Sequence, residues 1–394
     1  MYATPMSTPV STSARRNLFD NDHELFRESF RRFLDTEVVP HYDQWERDGI
    51  VPREVFGSAG KSGFLGMAIP AEFGGGGVPD FRFNTVIAEE VAKTGTVSFG
   101  INLHNDVCLP YFLEYTNEEQ KRRWLPGLAS GELIAAVAMT EPGTGSDLAG
   151  IKTTATRRGD DYILNGSKTF ISNGINADLV IVAAVIDDAP EGRPGLSLLI
   201  VERDTPGFDR GRNLEKIGMH AQDTAELFFH DARVPVANLL GEPGGGLKAL
   251  KTNLAQERMT IAVAGIASAR QALDWAVEYV KQRNAFGRTI ADFQNTKFVL
   301  ASVKTETEVV QTFVDDCVRQ LVDGTLTADR AAMAKLAASE LQGSAVDRCL
   351  QLFGGYGYMT EYPIARAYVD ARIGRIYGGT SEIMRQIVSK SMGL

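Results

Sequence analysis

LIAAVAMTEPGTGSD, residues 133–147, is where the character of the chain changes. Upstream, from residue 18 to about 130, apolar residues recur at helical spacing. Phe26, Phe30, Phe33 and Leu34 mark one amphipathic face that should end near Pro40. AEFGGGG at 71–77 reads as a loop, and 81–93, 98–113 and 118–129 read as further helices. LIAAVAMT is instead a short, continuous apolar run that stops at a Gly-rich turn. KTTATRRGDDYILNG then reads as two strands around Gly159-Asp160, and ADLVIVAAVI, GLSLLIVE and TAELFFHDARV add more. GEPGGG at 241–246 closes this block as a linker. Long helices follow at about 247–282, 292–322 and 327–352. The order α, β, α predicts an α+β multidomain fold: a disordered tail over 1–17, an N-terminal helical domain over 18–132, a β-barrel-like domain over 133–243, and a C-terminal antiparallel helical bundle over 244–394.

Bulk properties narrow the function classes. The 394 residues are enough for two or three domains. The net charge of −9 argues against a nucleic-acid partner, because phosphate binding needs a basic surface. Cys108, Cys317 and Cys349 are far apart and form no Cys-x-x-Cys pair, which points to a reducing compartment and away from disulfides. The five histidines contain no His-x-x-x-His spacing, so no metal site is expected. No run of about 20 apolar residues is present to span a membrane. The first sixteen residues are rich in Ser, Thr and Pro and lack acids, as in a disordered tail or an organelle-targeting segment.

One carboxylate stands out. In TNLAQERMTIAVAG, 252–265, Leu247, Leu250, Leu254, Ile261, Ala264 and Ser268 share a helical stripe, and Glu257 sits in the middle of it. No lysine or arginine lies three or four residues away to pair with it. Other segments carry chemistry less distinctly. MTEPGTGSD leaves a strand through Gly143 and Gly145, whose turn exposes backbone N–H groups, with hydroxyls at Thr140, Thr144 and Ser146. NGSKTFISNG puts Phe170 and Ser172 two apart, on one face of a strand. RNAFG, QLFGGYGYM and IYGGTSEIM each have a capping or turn explanation when taken alone.

Taken together, MTEPGTGSD, NGSKTFISNG, RNAFG, QLFGGYGYM and IYGGTSEIM, in this order and at these separations, resemble the acyl-CoA dehydrogenase family of flavoproteins. The resemblance runs from about residue 20 to 391. It implies FAD held between the β domain and the C-terminal bundle. Val137, Met139, Thr140, Gly145 and Ser146 match the flavin-binding strand and turn. Phe170, Ile171 and Ser172 match the flavin-facing strand, with Phe170 standing where Trp is usual. Arg283, Phe286, Gln294, Gln351, Leu352, Gly354 and Gly355 match residues that reach the adenine and pyrophosphate half across a subunit boundary, and Thr380 and Glu382 match further contacts to the dinucleotide. Such sharing implies a homo-oligomer, most often a tetramer.

The chain departs from the family at one position that matters. Many members carry the catalytic base in a Tyr-Glu-Gly-Thr motif, whereas this chain reads Tyr377-Gly378-Gly379-Thr380. Long-chain and isovaleryl-type members instead carry it on the first long helix of the C-terminal bundle, and Glu257 matches that position. The resemblance therefore implies a CH–CH oxidoreductase in fatty-acid β-oxidation. Glu257 would take the α-proton of an acyl-CoA thioester, hydride would pass to flavin N5, and the Gly378 N–H would donate to the oxyanion. Ser146, Lys248, Ala255, Gln256, Arg258, Tyr377, Gly378 and Gly379 would lie along the substrate. An electron-transferring flavoprotein would take the electrons. The expected compartment is the cytoplasm, with the mitochondrial matrix as the alternative. Same-fold alternatives are an acyl-carrier-protein dehydrogenase and an acyl-CoA oxidase; a different class is a non-catalytic flavoprotein subunit or binding protein.

Overall fold

The computed structural model describes residues 16–190 and 194–394. Most of the expected tail lies outside the described residues. Arg16, assigned to that tail, is in fact anchored: its guanidinium pairs with Glu89 and Asp315, and Leu18 is buried. The ion pairs hold Arg16 against two helices, so the ordered chain begins before residue 18.

The N-terminal domain holds α1 (Asn21–Phe33), α2 (Val39–Asp48), α3 (Arg53–Lys61), α4 (Phe81–Thr94), α5 (Leu109–Tyr115) and α6 (Glu118–Ser130). Asp20 caps α1 by accepting from the Asp22 and His23 backbone N–H groups. The expected stop near Pro40 does not occur. A π-helical segment, Leu34–Val38, carries α1 directly into α2, and Pro40 falls in the first turn of α2. The Val39 N–H reaches back to the Leu34 carbonyl, and this wider turn interrupts the α-helical bonding just where Pro40, which has no N–H, would break it. A second π-helical segment, Leu103–Cys108, leads into α5.

The middle domain contains β1 (Ala135–Ala138), β2 (Thr154–Arg158), β3 (Asp161–Ser172), β4 (Leu179–Ile186), β5 (Gly195–Glu202), β6 (Phe208–Asn213), β7 (Thr224–Pro235) and β8 (Leu239–Leu240). Their order is β6-β7-β3-β2-β4-β5-β8, with β1 parallel to β4. The sheet is mixed and its two ends do not pair, so the barrel-like expectation is corrected to an open sheet. Closing a barrel would require β6 and β8 to bond. β6, FDRGRN, was not foreseen, because it is an edge strand with a single apolar residue and no alternation. β4, LVIVAAVI, is buried on both faces. Val180, Val182, Ala184 and Ile186 pack with Leu227 and Phe229. Leu179, Ile181 and Ala183 pack with Phe112, Trp124 and Leu250. The sheet is thereby fastened to the N-terminal helices and to the start of the next long helix.

That helix is α7 (Gly246–Gln282). A short hairpin, β9 (Asn284–Ala285) and β10 (Arg288–Thr289), separates it from α8 (Gln294–Val322) and α9 (Ala328–Gln351). α10 (Pro363–Asp370) and α11 (Ser381–Ser391) end the chain. Ala262, Val263, Ile266 and Ala269 of α7 meet Ala334, Ala338, Leu341 and Ala345 of α9. Small residues at this contact let the two helices approach closely.

Candidate active site

Glu257 sits on α7 and is 5 % exposed. Its Oε1 accepts a hydrogen bond of 2.9 Å from the Tyr111 hydroxyl on α5. Among the described residues no lysine, arginine or histidine pairs with it. Burial pushes its pKa up to about 7, against the opposing pull of the Tyr111 hydrogen bond and the nearby Arg258 charge. One turn earlier, Asn253 is buried and its Nδ2 has no acceptor.

Gly378 approaches the same face of α7. A Cβ built on it would lie 2.3 Å from Cδ1 of Ile261, one turn beyond Glu257. Its φ of +62° is also one that side chains rarely adopt. A side chain at 378 would force the tip of Ile261 to shift and would sit on a strained backbone, which fits the departure from Tyr-Glu-Gly-Thr. Among the described residues nothing accepts the Gly378 N–H, whereas the Tyr377 N–H bonds the carbonyl of Ile373 at 3.1 Å. The result is a buried carboxylate, with Oε2 free, on the helix stripe that a free backbone donor approaches. A carbonyl compound lodged there could lose an α-proton to the carboxylate while its oxygen meets the donor.

The β domain carries a surface suited to a flat ring. β3 breaks its regular register between Lys168 and Ile171, and Phe170 takes φ +60°. The bulge leaves the Phe170 ring 69 % exposed between buried Thr169 and Ile171. Regular alternation was the sequence expectation; the bulge turns this ring out instead. The Thr169 N–H bonds the Thr140 carbonyl at 2.9 Å, joining the bulge to the Gly-rich turn. Beneath the turn, Glu141 accepts from the Lys152 and Thr153 N–H groups, the Thr153 hydroxyl and buried Lys168. Burial alone would raise the Glu141 pKa; these hydrogen bonds, those of Thr153 and Lys168 foremost, hold it at about 2. Gly143 has no neighbour within 4 Å, Gly145 meets only Thr140 Cγ2 at 4.0 Å, and Ser146 is exposed.

A second surface feature lies on the bundle. Arg283, Gln351, Leu352, Gly354, Gly355 and Tyr356 line a groove of about 720 Å³. Phe286 stands 94 % exposed beside it, on the β9–β10 hairpin. Among the described residues no hydrogen bond joins this groove to Thr140–Ser146 or to Phe170–Ser172.

Comparison with known proteins decides the family. The chain matches the acyl-CoA dehydrogenase N-terminal domain over 20–132, the middle domain over 136–232 and the C-terminal domain over 244–393. It is 46 % identical over 390 residues to the mitochondrial long-chain specific acyl-CoA dehydrogenase of Mus musculus, covering 99 % of this chain and 90 % of that protein. The crystal structure of an acyl-CoA dehydrogenase from Geobacillus kaustophilus superposes with a TM-score of 0.93 at 48 % identity, covering 97 % of this chain and all of that one. That of a Bacillus anthracis acyl-CoA dehydrogenase complexed with FAD gives 0.88 at 34 % identity, over 95 % of this chain and 67 % of that one.

The chain belongs to the acyl-CoA dehydrogenase family. It is an oxidoreductase acting on CH–CH bonds, with the helical, β and helical domain order of that family. The remaining residues singled out for an acyl-CoA dehydrogenase site fall as follows. Thr380 caps α11 by accepting from the Ile383 N–H, and Glu382 and Gln294 are exposed. Lys248 is exposed at the start of α7, nine residues and therefore about 14 Å along the helix from Glu257. Ala255 is half-buried, and the Gln256 Nε2 is spent on the Asp106 carbonyl at 2.9 Å. Arg258 is 6 % exposed and its Nε has no acceptor. Tyr377 is 41 % exposed by area, yet burial pushes its hydroxyl pKa up to about 12, so its outer surface rather than its hydroxyl is what meets solvent.

Three side chains escaped sequence reading. Tyr111 looks like any core aromatic in LPYFLEY, and nothing local ties it to a carboxylate 146 positions away. Glu141 passes for a turn residue. Lys335 was detectable by the logic applied to Glu257. It is a lone cation whose neighbours at helical spacing, Ala331, Ala332, Ala338 and Ser339, are all small and buried.

Proposed function

We propose that this protein is an FAD-dependent acyl-CoA dehydrogenase that converts a saturated acyl-CoA to the trans-2-enoyl-CoA, with Glu257 as the base. The observation that carries the reading is the buried, cation-free carboxylate of Glu257 on the α7 stripe approached by Gly378, with its pKa pushed up to about 7. A base titrating near neutrality is matched to removal of an activated α-proton. Tyr111 occupies Oε1 and leaves Oε2 to receive that proton. The Gly378 N–H faces the thioester oxygen, where charge grows as the proton leaves.

The residues fit FAD. The exposed Phe170 ring beside the Thr140–Ser146 turn offers one flat apolar surface with open backbone donors. Arg283 and Gln351 to Gly355 offer a cation and close backbone approach for the distal half. FAD, when bound, accepts the β-hydrogen with two electrons. Membership of the family supports a homotetramer. The 46 % identity to a long-chain specific relative supports a long acyl chain, and membership of the family supports an electron-transferring flavoprotein as acceptor. Cys108, Cys317 and Cys349 are buried free thiols, in keeping with a reducing compartment such as the cytoplasm.

The test is anaerobic flavin bleaching by acyl-CoAs of graded chain length. Glu257→Gln retains FAD and binds acyl-CoA yet loses bleaching by at least about 10³-fold, the upper part of what a positioned base with its geometry supplies. Bleaching at the normal rate in that variant overturns the assignment. Peroxide formed stoichiometrically in air would mark an oxidase instead.

A further inference from the structure

Lys335 lies about two turns into α9 and is 0 % exposed. Among the described residues it forms no ion pair with any carboxylate. Its Nζ donates instead to the carbonyl oxygen of Gly379, at 2.6 Å. Its pKa is lowered to about 8, first by burial and then by the Arg258 charge, with Glu340 and Glu382 opposing. Glu340 is already engaged, with Arg375 at 3.1 Å and with the Ser381 hydroxyl at 2.7 Å. A buried ammonium with one backbone acceptor is costly, because desolvation is not offset by an opposite charge. A purely structural role would be served more cheaply by an apolar side chain among these alanines.

The acceptor is what gives the arrangement a purpose. Gly378 and Gly379 are consecutive left-handed residues, with φ of +62° and +95°. Such a pair is soft and admits many peptide orientations. Three bonds hold it. The Tyr377 N–H is tied to Ile373, the Gly379 carbonyl to Lys335, and Thr380 caps α11. Between them the Gly378 N–H is left without a partner. We infer that Lys335 is a positioning residue: by gripping the Gly379 carbonyl it fixes the Gly378 N–H where the thioester oxygen acquires charge. This rests on the proposed function and names the device that aims its donor.

The experiment uses a 3-oxoacyl-CoA, which ionises to an enolate and so carries the charge the donor should meet. Binding to the FAD-loaded enzyme is followed by absorbance across pH, giving the ionisation constant of the bound ligand. In Lys335→Met that constant should fall at least tenfold, with total affinity for saturated acyl-CoA within threefold of the wild type and kcat falling more than KM rises. Lys335→Gln keeps a neutral donor and should recover part of the shift; it also serves as the test if the Met variant does not fold. Unchanged ionisation in either folded variant overturns the inference, as does equal loss of affinity for the saturated and the ionised ligand. Wild-type enzyme that no acyl-CoA bleaches would defeat the proposed function itself, and that outcome is read separately.

Discussion

Glu257→Gln makes a stability prediction that needs no substrate. The carboxyl has an ordinary value of 4.5 when unfolded and about 7 when folded. Its protonated form is favoured by the fold, so the associated stability is fully present below pH 4.5 and is lost as pH rises through 7. A gap of about 2.5 units at 1.36 kcal/mol per unit makes that loss about 3 kcal/mol. Glutamine is neutral throughout and does not suffer it. About 2 kcal/mol of the difference falls between pH 5.5 and 8.5. With an unfolding entropy of about 2.1 cal/mol/K per residue, cooperative unfolding of 394 residues converts this to about 2.5 °C. The melting temperature of the variant minus that of the wild type, at matched flavin content, should therefore rise by about that much across this interval. A difference that is flat with pH, or that rises toward acid, refutes the claim that Glu257 is buried without a compensating charge.

Two further outcomes follow from the site. Tyr111→Phe removes a hydrogen bond that favours the carboxylate, so the pKa of Glu257 rises above its present value of about 7. A bond to a charged group contributes about 1.5–3 kcal/mol, so the midpoint of the pH profile for single-turnover flavin reduction should move up by about one unit or more; a midpoint that stays put or moves down sinks this role. Glu141→Ala strands Lys168, which is 0 % exposed and takes its only carboxylate partner among the described residues from Glu141. Denaturant unfolding should show a loss of about 3–5 kcal/mol, with flavin content reduced in parallel, and a loss under 1 kcal/mol would show the pair to be dispensable.

Much of the architecture was legible along the chain. Long helices and the longer strands declare themselves by periodicity, since each must turn one face to a core. The stretch at 133–147 contains β1, and GEPGGG at 241–246 joins β8 to α7. Where local rules were overridden, a neighbour supplied the reason. The π-helical run at Leu34–Val38 lets the chain pass Pro40, and edge pairing with β7 makes a strand of FDRGRN. The sheet remains open because its terminal strands, β6 and β8, do not meet, and which strands end a sheet is settled by pairing across distance.

By itself the sequence determined that a carboxylate at 257 occupies an apolar helical stripe without a local partner, and that position 378 carries no side chain. Both follow from spacing within one segment, where geometry is set by the helix repeat. Only the tertiary structure decided that Tyr111, Ile261, Gly378 and Lys335 converge there. Those contacts join α5, α7, α9 and the loop before α11, and no periodicity relates residues on separate elements. A carboxylate's charge state depends on what surrounds it in space, so its chemistry is written in the packing.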